Sequence, residues 1–254
     1  MKNILKKLFP FFIFVSLITS SFIYFLSIKD NSKDIPTTNI VNTTDKIAYL
    51  TFDDGPSLNT EKILEILDKY NIKATFFVVG PSYKLKDDLL LKIVKSGHEL
   101  AIHSYEHNYS YIYSSKENYI KDFEKCEKWI KRITGKAPTL YRFPGGSSNT
   151  IGTKQLIKSI ITELEKKGYV HADWNVDTLD SYVKNEPSKV LSNALTSIRR
   201  NENNNHYFQT VLMHDDIHKP ATIEALPKLI EKLIAKGYHF EALKETSHII
   251  KHVK

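Results

Sequence analysis

From Lys46 onward the chain alternates apolar, strand-like runs with helical stretches, and this alternation restricts the fold more than any other feature. The runs are Ile47–Phe52, Ala74–Gly80, Glu99–His103, Thr139–Phe143, Tyr169–Val176, Thr210–His214 and Tyr238–Ala242. Helical patterning covers residues 60–70, 85–96, 116–133, 151–167, 187–200 and 222–236. Several of these stretches stop at a Gly followed directly by a strand (Gly97, Gly168, Gly237), as helices with a C-terminal cap do. Seven strands alternating with six helices predict a parallel α/β domain. An open doubly wound sheet and a barrel both satisfy the alternation. Either one places chemistry at the C-terminal ends of the strands.

Ahead of this domain, Lys2, Lys6 and Lys7 precede Leu8–Ile28, 21 residues without a charge and rich in Phe, Ile and Leu. That length matches the roughly 20 apolar residues a helix needs to cross a bilayer. Lysines before the span favour a cytoplasmic N-terminus and place the rest of the chain outside. A cleaved signal peptide has a shorter apolar region ending in small residues, whereas here the stretch runs on through Phe22–Leu26. The expected organisation is a stub and membrane anchor at 1–28, a polar linker at 29–45 and one domain at 46–254. Such a chain is a single-pass membrane protein with its domain outside the cell, or a secreted one if the segment is cleaved.

The formal charge of +7 is not concentrated. Residues 1–45 carry five Lys against three Asp, and the remaining excess is spread without a dense basic run, so nucleic-acid binding is not expected. Cys126 is the only cysteine, which excludes an intrachain disulfide and a cysteine-cluster metal site. It lies in a helical stretch, where a small core residue is the default reading.

Polar residues recur at the predicted strand ends. Thr51-Phe52-Asp53-Asp54-Gly55-Pro56 closes the first strand. Two adjacent carboxylates there are costly unless a cation compensates them, although Asp-Gly-Pro is also turn chemistry. His103-Ser104-Tyr105-Glu106-His107 closes the third strand. Its two His, four apart, would share one face of a helical turn and could chelate a divalent metal. With a strand-end Asp they make a two-His-one-carboxylate set that suits Zn²⁺, with Co²⁺, Ni²⁺, Fe²⁺ and Mn²⁺ as chemical alternatives. Tyr141-Arg142-Phe143-Pro144-Gly145-Gly146 closes the fourth strand, offering a guanidinium to hold a carboxylate and a close-approaching backbone N–H. Asp173–Asp180 and Val211–Asp215 follow, with His214 a candidate general acid whose pKa an Asp partner would raise.

These five segments, in this order, resemble the five motifs of the polysaccharide deacetylases, the NodB-homology domain of carbohydrate esterase family 4. The resemblance covers residues 46–245 and includes the approach Gly97-His98-Glu99-Leu100-Ala101-Ile102, where His98 reads as structural. It implies a distorted (β/α) barrel with about seven strands, and it implies roles. Asp53 would be the general base and Asp54, His103 and His107 the metal ligands. Arg142 would hold Asp53, and the Gly145 N–H would stabilise an oxyanion. His214 would be the general acid, paired with Asp180 in preference to Asp177. Trp174 and Leu212 would line the acetyl pocket. Asp173, Asp215 and Asp216 read as structural or exposed. Two departures concern the sugar: Gly145-Gly146 follows Pro144 where the family commonly has Tyr, and Ser181 follows Asp180 where it often has Trp.

The expected activity is removal of N-acetyl groups from N-acetylglucosamine-type sugars of a wall polysaccharide, peptidoglycan or poly-N-acetylglucosamine, with no obligate protein partner. The alternatives are an O-acetyl esterase acting on xylan or another acetylated glycan, and a non-catalytic glycan-binding relative.

Overall fold

A computed structural model describes residues 45–254 apart from 82–84 and 184. The anchor expected at 1–28 and, but for Asp45, the linker at 29–45 lie outside the described residues. Among the described residues no helix is long and apolar enough to cross a membrane.

In chain order the elements are β1 (Lys46–Asp53), α1 (Leu58–Lys69), β2 (Thr75–Val79), α2 (Leu85–Lys95), β3 (Glu99–Ser104), α3 (Tyr109–Ile112), α4 (Lys116–Thr134), β4 (Leu140–Tyr141), α5 (Lys154–Lys166), β5 (Val170–His171), β6 (Val176–Asp177), α6 (Pro187–Asn203), β7 (Phe208–His214), α7 (Pro220–Ala235) and β8 (Tyr238–Phe240). The strands form one sheet in the order β5-β4-β3-β2-β1-β7-β6, and every pairing in it is parallel. Strand β1 lies inside the sheet, with neighbours on both edges. β7 pairs along nearly its whole length on one edge, while β8 and β2 share the other edge, β8 beside Lys46–Ala48 and β2 beside Thr51–Asp53. The sheet path ends at β5 and β6, which are not paired with each other. This is a curled (β/α) half-barrel, the open form of the expected barrel.

One predicted strand is corrected. Tyr169–Val176 is two short strands separated by Ala172–Asn175. The break has a physical cause, because the Asp173 and Asn175 side chains there take backbone N–H groups of other segments: Asp173 accepts from Ser147 and His252, and Asn175 from Thr210. The predicted helix stops at Gly168 and Gly237 have φ of 87° and 81°, in the left-handed region that glycine enters without a Cβ clash.

Side chains of the strands alternate between two clusters, as a period of two requires. Ala48, Leu50 and Phe52 of β1, Phe76 and Val78 of β2, Leu100 and Ile102 of β3, and Val211 and Met213 of β7 join helix residues such as Leu67, Phe123 and Leu229 in the larger core. The intervening positions Tyr49, Phe77, Ala101 and Leu140 form a smaller cluster with Ala172 and Leu243. Carried up the strands, the same alternation puts Thr51, Asp53, His103, Arg142, Leu212 and His214 on this second face. The apolar cluster forms its lower layer, and the polar side chains its upper one.

Candidate active site

Asp53 ends β1 and is buried, which leaves its carboxylate dependent on partners. Arg142, fully buried, supplies one: Nη1 donates to Asp53 Oδ1 at 2.9 Å. The guanidinium is itself fixed on all sides. It donates to Thr51 Oγ1 at 2.8 Å, to the Ala172 carbonyl at 2.8 Å and to the Asp173 carbonyl at 3.1 Å, and its carbon lies 4.0 Å from the centre of the Phe77 ring. A buried ion pair is tolerable only with such additional hydrogen bonds.

Asp54 follows with φ of 74°, uncommon for a residue with a Cβ, and this turns its carboxylate toward His103 and His107. Its Oδ1 lies 3.4 Å from His103 Nε2 and 3.1 Å from His107 Nε2. Burial opposes its charge, yet the two facing rings outweigh that and hold the carboxyl well below its usual range. The turn is packed from beneath by Asp215, whose carboxyl occupies the space a Cβ on Gly55 would take. Asp215 accepts from Thr60 Oγ1 at 2.5 Å, and its carbonyl accepts from Ser57 Oγ at 2.5 Å. Burial pushes the Asp215 carboxyl up to about 7.

The histidine spacing does not act through a helical turn, contrary to the expectation. His103 is still in β3, and Tyr105 and Glu106 form a bend after which His107 has φ of 51°. The bend is held by Asp122 of α4, which accepts from Ser104 Oγ at 2.6 Å and from the Tyr105 and Glu106 N–H groups at 2.8 Å each. His107 N–H then donates to Ser104 Oγ at 2.9 Å. Asp122 was not anticipated as a site residue. Its signal was an acidic side chain on the apolar stripe of α4, between Tyr119 and Cys126.

Asp54, His103 and His107 each direct one ligand atom to a common point, all within 4.8 Å of one another. The chemistry of the set fits a divalent cation. His103 Nδ1–H can donate to the Arg142 carbonyl at 2.9 Å, which selects the tautomer whose Nε2 lone pair faces Asp54. Asp54 Oδ1 and His107 Nε2 are buried and lack a hydrogen-bond partner of acceptable geometry among the described residues. Close approach without hydrogen-bond geometry is what ligands of a shared ion show. This set leaves coordination positions open, as catalytic sites do.

Across the site, His214 Nδ1–H donates to Asp180 Oδ1 at 2.7 Å, and His214 N–H donates to Asp180 Oδ2 at 2.8 Å. Thr222 Oγ1 completes the Asp180 shell at 2.6 Å. Burial alone would lower the His214 pKa, but Asp180, with Asp54 and Asp53 farther off, outweighs it and pushes it up to about 10. Asp177, the second choice, instead accepts from the Leu179 N–H at 2.8 Å.

The cleft of about 400 Å³ over these groups is lined by Asp53, Asp54, His103, His107 and His214 together with Gly145, Trp174 and Leu212. Every predicted site residue except Arg142 and Asp180 therefore reaches it, and those two lie directly behind Asp53 and His214. Gly145 has φ of 76°, and a Cβ there would meet Asn149 Cβ at 3.3 Å. Tyr109 and Tyr182 line the cleft without having been anticipated. The Tyr109 ring centre lies 5.3 Å from that of His107, and its hydroxyl is pushed up to about 12 by burial and by Asp54 and Asp53.

Behind Trp174 sits Asp173, buried and accepting from Ser147 N–H at 2.8 Å, Ser147 Oγ at 2.6 Å and His252 N–H at 2.8 Å. His252 Nε2–H donates in turn to the Trp174 carbonyl at 2.7 Å. The C-terminal segment thus ties the Gly145 loop to Trp174. Elsewhere, His98 accepts from the Ala74 N–H, and burial lowers its pKa to about 4, a structural role. Cys126 is buried and its thiol is pushed up, so it is no nucleophile.

The sequence profile of the family described as polysaccharide deacetylase matches residues 40–164. A peptidoglycan-N-acetylglucosamine deacetylase of Bacillus cereus is 35% identical over 208 residues, covering 80% of this chain and 71% of its own length. The crystal structure of the catalytic domain of peptidoglycan N-acetylglucosamine deacetylase from Eubacterium rectale aligns with a TM-score of 0.75 at 35% identity, over 83% of this chain and 94% of that one. A polysaccharide deacetylase from Bacillus cereus aligns with a TM-score of 0.70 at 32% identity, over 81% and 96% respectively.

Proposed function

Since the chain belongs to the polysaccharide deacetylase family, hydrolases of the amide bonds of acetylated sugars, we propose that it removes N-acetyl groups from N-acetylglucosamine units of a wall polysaccharide, with peptidoglycan the first candidate. The observation that carries the reaction is one cleft presenting a buried carboxylate, a two-His-one-carboxylate set and a histidine held protonated. Peptidoglycan is favoured by the names of the relatives and by the N-terminal span.

In this reading Asp54, His103 and His107 hold one divalent cation, for which Zn²⁺ suits the donor types. When bound, such an ion lowers the pKa of a water and polarises the acetamide carbonyl. Asp53, oriented by Arg142, takes the proton of the attacking water. The Gly145 N–H donates to the oxygen that becomes anionic. Trp174 and Leu212 exclude water around the acetyl methyl. An amine leaves poorly unless protonated, and His214 Nε2–H is the donor, kept charged by Asp180. Acetate and the free amino sugar are the products.

The span Leu8–Ile28 is read as an anchor, 29–45 as a tether and 46–254 as the catalytic domain on the outer side of the cell membrane. What supports this is the uncharged length and the preceding lysines.

The test is mass spectrometry of muramidase-digested wall incubated with the protein and added Zn²⁺, alongside D53A, H103A and H214A. The expected result is acetyl loss from glucosamine, abolished in each variant. Wild-type-like turnover in all three, or activity on acetylated xylan alone, would overturn the assignment.

A further inference from the structure

The oxygen of the Pro144–Gly145 peptide is held by a residue that the proposed mechanism does not use. Tyr113, buried directly after α3, donates its hydroxyl to the Pro144 carbonyl at 2.7 Å. Burial raises its pKa, so the hydroxyl keeps the proton it donates. The same peptide carries the Gly145 N–H, the proposed oxyanion donor. The bond is trans, and in a trans peptide the N–H points opposite to the carbonyl. Fixing the oxygen toward Tyr113 therefore aims the N–H away from Tyr113. On that side it can meet a ligand, because Gly145 lines the cleft and its N–H has no hydrogen-bond partner among the described residues.

The orientation needs holding because the turn has two forms. Gly146 N–H donates to the Phe143 carbonyl at 2.7 Å, closing a turn with Pro144 second and Gly145 third, the latter at φ of 76°. Positive φ at the third position makes this a type II turn. A type I turn has the same ends, but its central peptide is rotated by about 180°. That rotation would put the Pro144 carbonyl where the Gly145 N–H now stands, exchanging a donor for an acceptor. Glycine enters both signs of φ, so residue type alone does not exclude the rotated form. The Tyr113 hydrogen bond does, because it is made only while the carbonyl points to the buried side.

Tyr113 also ties this turn to the histidine bend. The ring of His107 meets that of Tyr109 at 5.3 Å, and Tyr109 meets Tyr113 at 6.0 Å. The Tyr109 ring edge lies 3.4 Å from where a Cβ on Gly145 would stand. On the other side of the turn, a Cβ on Gly146 would stand 2.8 Å from Trp174 Cη2. The peptide is thus seated between the candidate metal ligands and the wall expected to receive the acetyl group. We propose that Tyr113 is a positioning residue, whose hydroxyl locks the Pro144–Gly145 peptide in the orientation that presents the Gly145 N–H to the substrate oxygen. It touches no reacting atom and acts through that peptide. The inference rests on the deacetylase reading for the identity of that oxygen, whereas the lock itself rests on the turn.

The experiment reads the peptide and the reaction separately, on the full chain with added Zn²⁺. Y113F keeps the ring and removes only the hydroxyl. With ¹⁵N-glycine labelling, the Gly145 amide is expected as one sharp NMR resonance in the native protein. In Y113F it should be shifted, doubled or broadened by exchange. The kcat of Y113F is expected to fall about tenfold or more, toward the roughly 10²–10³-fold that loss of a whole oxyanion donor costs, with KM within about twofold. G145A, whose Cβ disfavours positive φ, should show the same split between kcat and KM with Tyr113 intact. Zn²⁺ affinity should be unchanged in both. A sharp Gly145 resonance at its native position in Y113F, or a native kcat in Y113F beside an active wild type, would overturn the lock. No acetate release by the wild type, with the Gly145 resonance still altered in Y113F, would refute the deacetylase reading and leave the lock standing.

Discussion

Asp53 and His214 are register partners on the adjacent parallel strands β1 and β7. The proposed base and acid are thus set by the sheet ladder, and the Asp215 N–H donates to the Asp53 carbonyl at 3.1 Å just beyond them. Their side chains leave the same face, and each is backed by one buried partner of opposite charge: Arg142 behind Asp53 and Asp180 behind His214. Strand pairing fixes their separation, and the partners fix their orientation.

Removing Arg142 should therefore cost more than activity. R142M leaves Asp53 buried without its cation, a change of about 3–5 kcal/mol. D53N leaves Arg142 in turn without its anion, but the amide oxygen keeps the hydrogen bond and Thr51, Ala172 and Asp173 still hold the guanidinium. It should therefore lose less stability than R142M while kcat falls about 10²–10⁴-fold. Chemical denaturation and acetate release, measured on both variants, should separate in this way. Equal stability for the two would show that the ion pair does not hold the strand ends.

The His214–Asp180 pair predicts a pH dependence. With its pKa raised to about 10, His214 stays protonated across neutral pH, as its proposed role of protonating the departing amine requires. In D180N the desolvation of the ring is opposed only by Asp54 and Asp53, so its pKa falls and the alkaline limb of kcat moves to lower pH. The contribution of the raised His214 pKa to stability follows the same sign. It is fully present below the unfolded histidine value of about 6.5 and is lost as the pH rises through about 10. A pH–rate profile that D180N leaves unmoved would remove His214 from the acid role.

Asp122 is expected to control metal affinity from outside the ligand set. D122A strips the Tyr105 and Glu106 N–H groups and Ser104 Oγ of their acceptor, freeing the bend that sets His107. Loss of a group that supports metal ligands typically costs about 10–100-fold in affinity. Competition with a chelating dye, read against circular dichroism, should show weaker Zn²⁺ binding in a folded protein. Unaltered Zn²⁺ affinity would confine Asp122 to packing.

Much of this was legible in the sequence because period-two strands and helix stops encode the parallel α/β order, and because Asp53, Asp54, His103, Arg142 and His214 all fall at strand ends. The candidate metal-binding set was legible as residue types but not as geometry. Four-residue spacing suggested a helical turn, whereas a bend pinned by a distant helix brings His107 round. Asp122 escaped for the same reason: its contacts depend on which segments meet in space. The break at Ala172–Asn175 was hidden because apolar pattern cannot reveal side chains that replace ladder hydrogen bonds.

Asp173 tests whether the C-terminal segment belongs to the site. Its carboxylate gathers Ser147 N–H, Ser147 Oγ and the His252 N–H, so it fixes the loop carrying Gly145 against Trp174. D173A leaves those donors without an acceptor, at about 1–3 kcal/mol for each that stays buried. A Gly145 N–H displaced by a fraction of an ångström loses the developing oxyanion before it loses the bound substrate. The expected signature is a fall in kcat that exceeds the rise in KM, with Zn²⁺ affinity unchanged because Asp54, His103 and His107 are held elsewhere. S147A removes one of the three donors and should show a smaller fall in the same direction. A D173A enzyme with native kcat and a lower melting temperature would assign the network to stability alone.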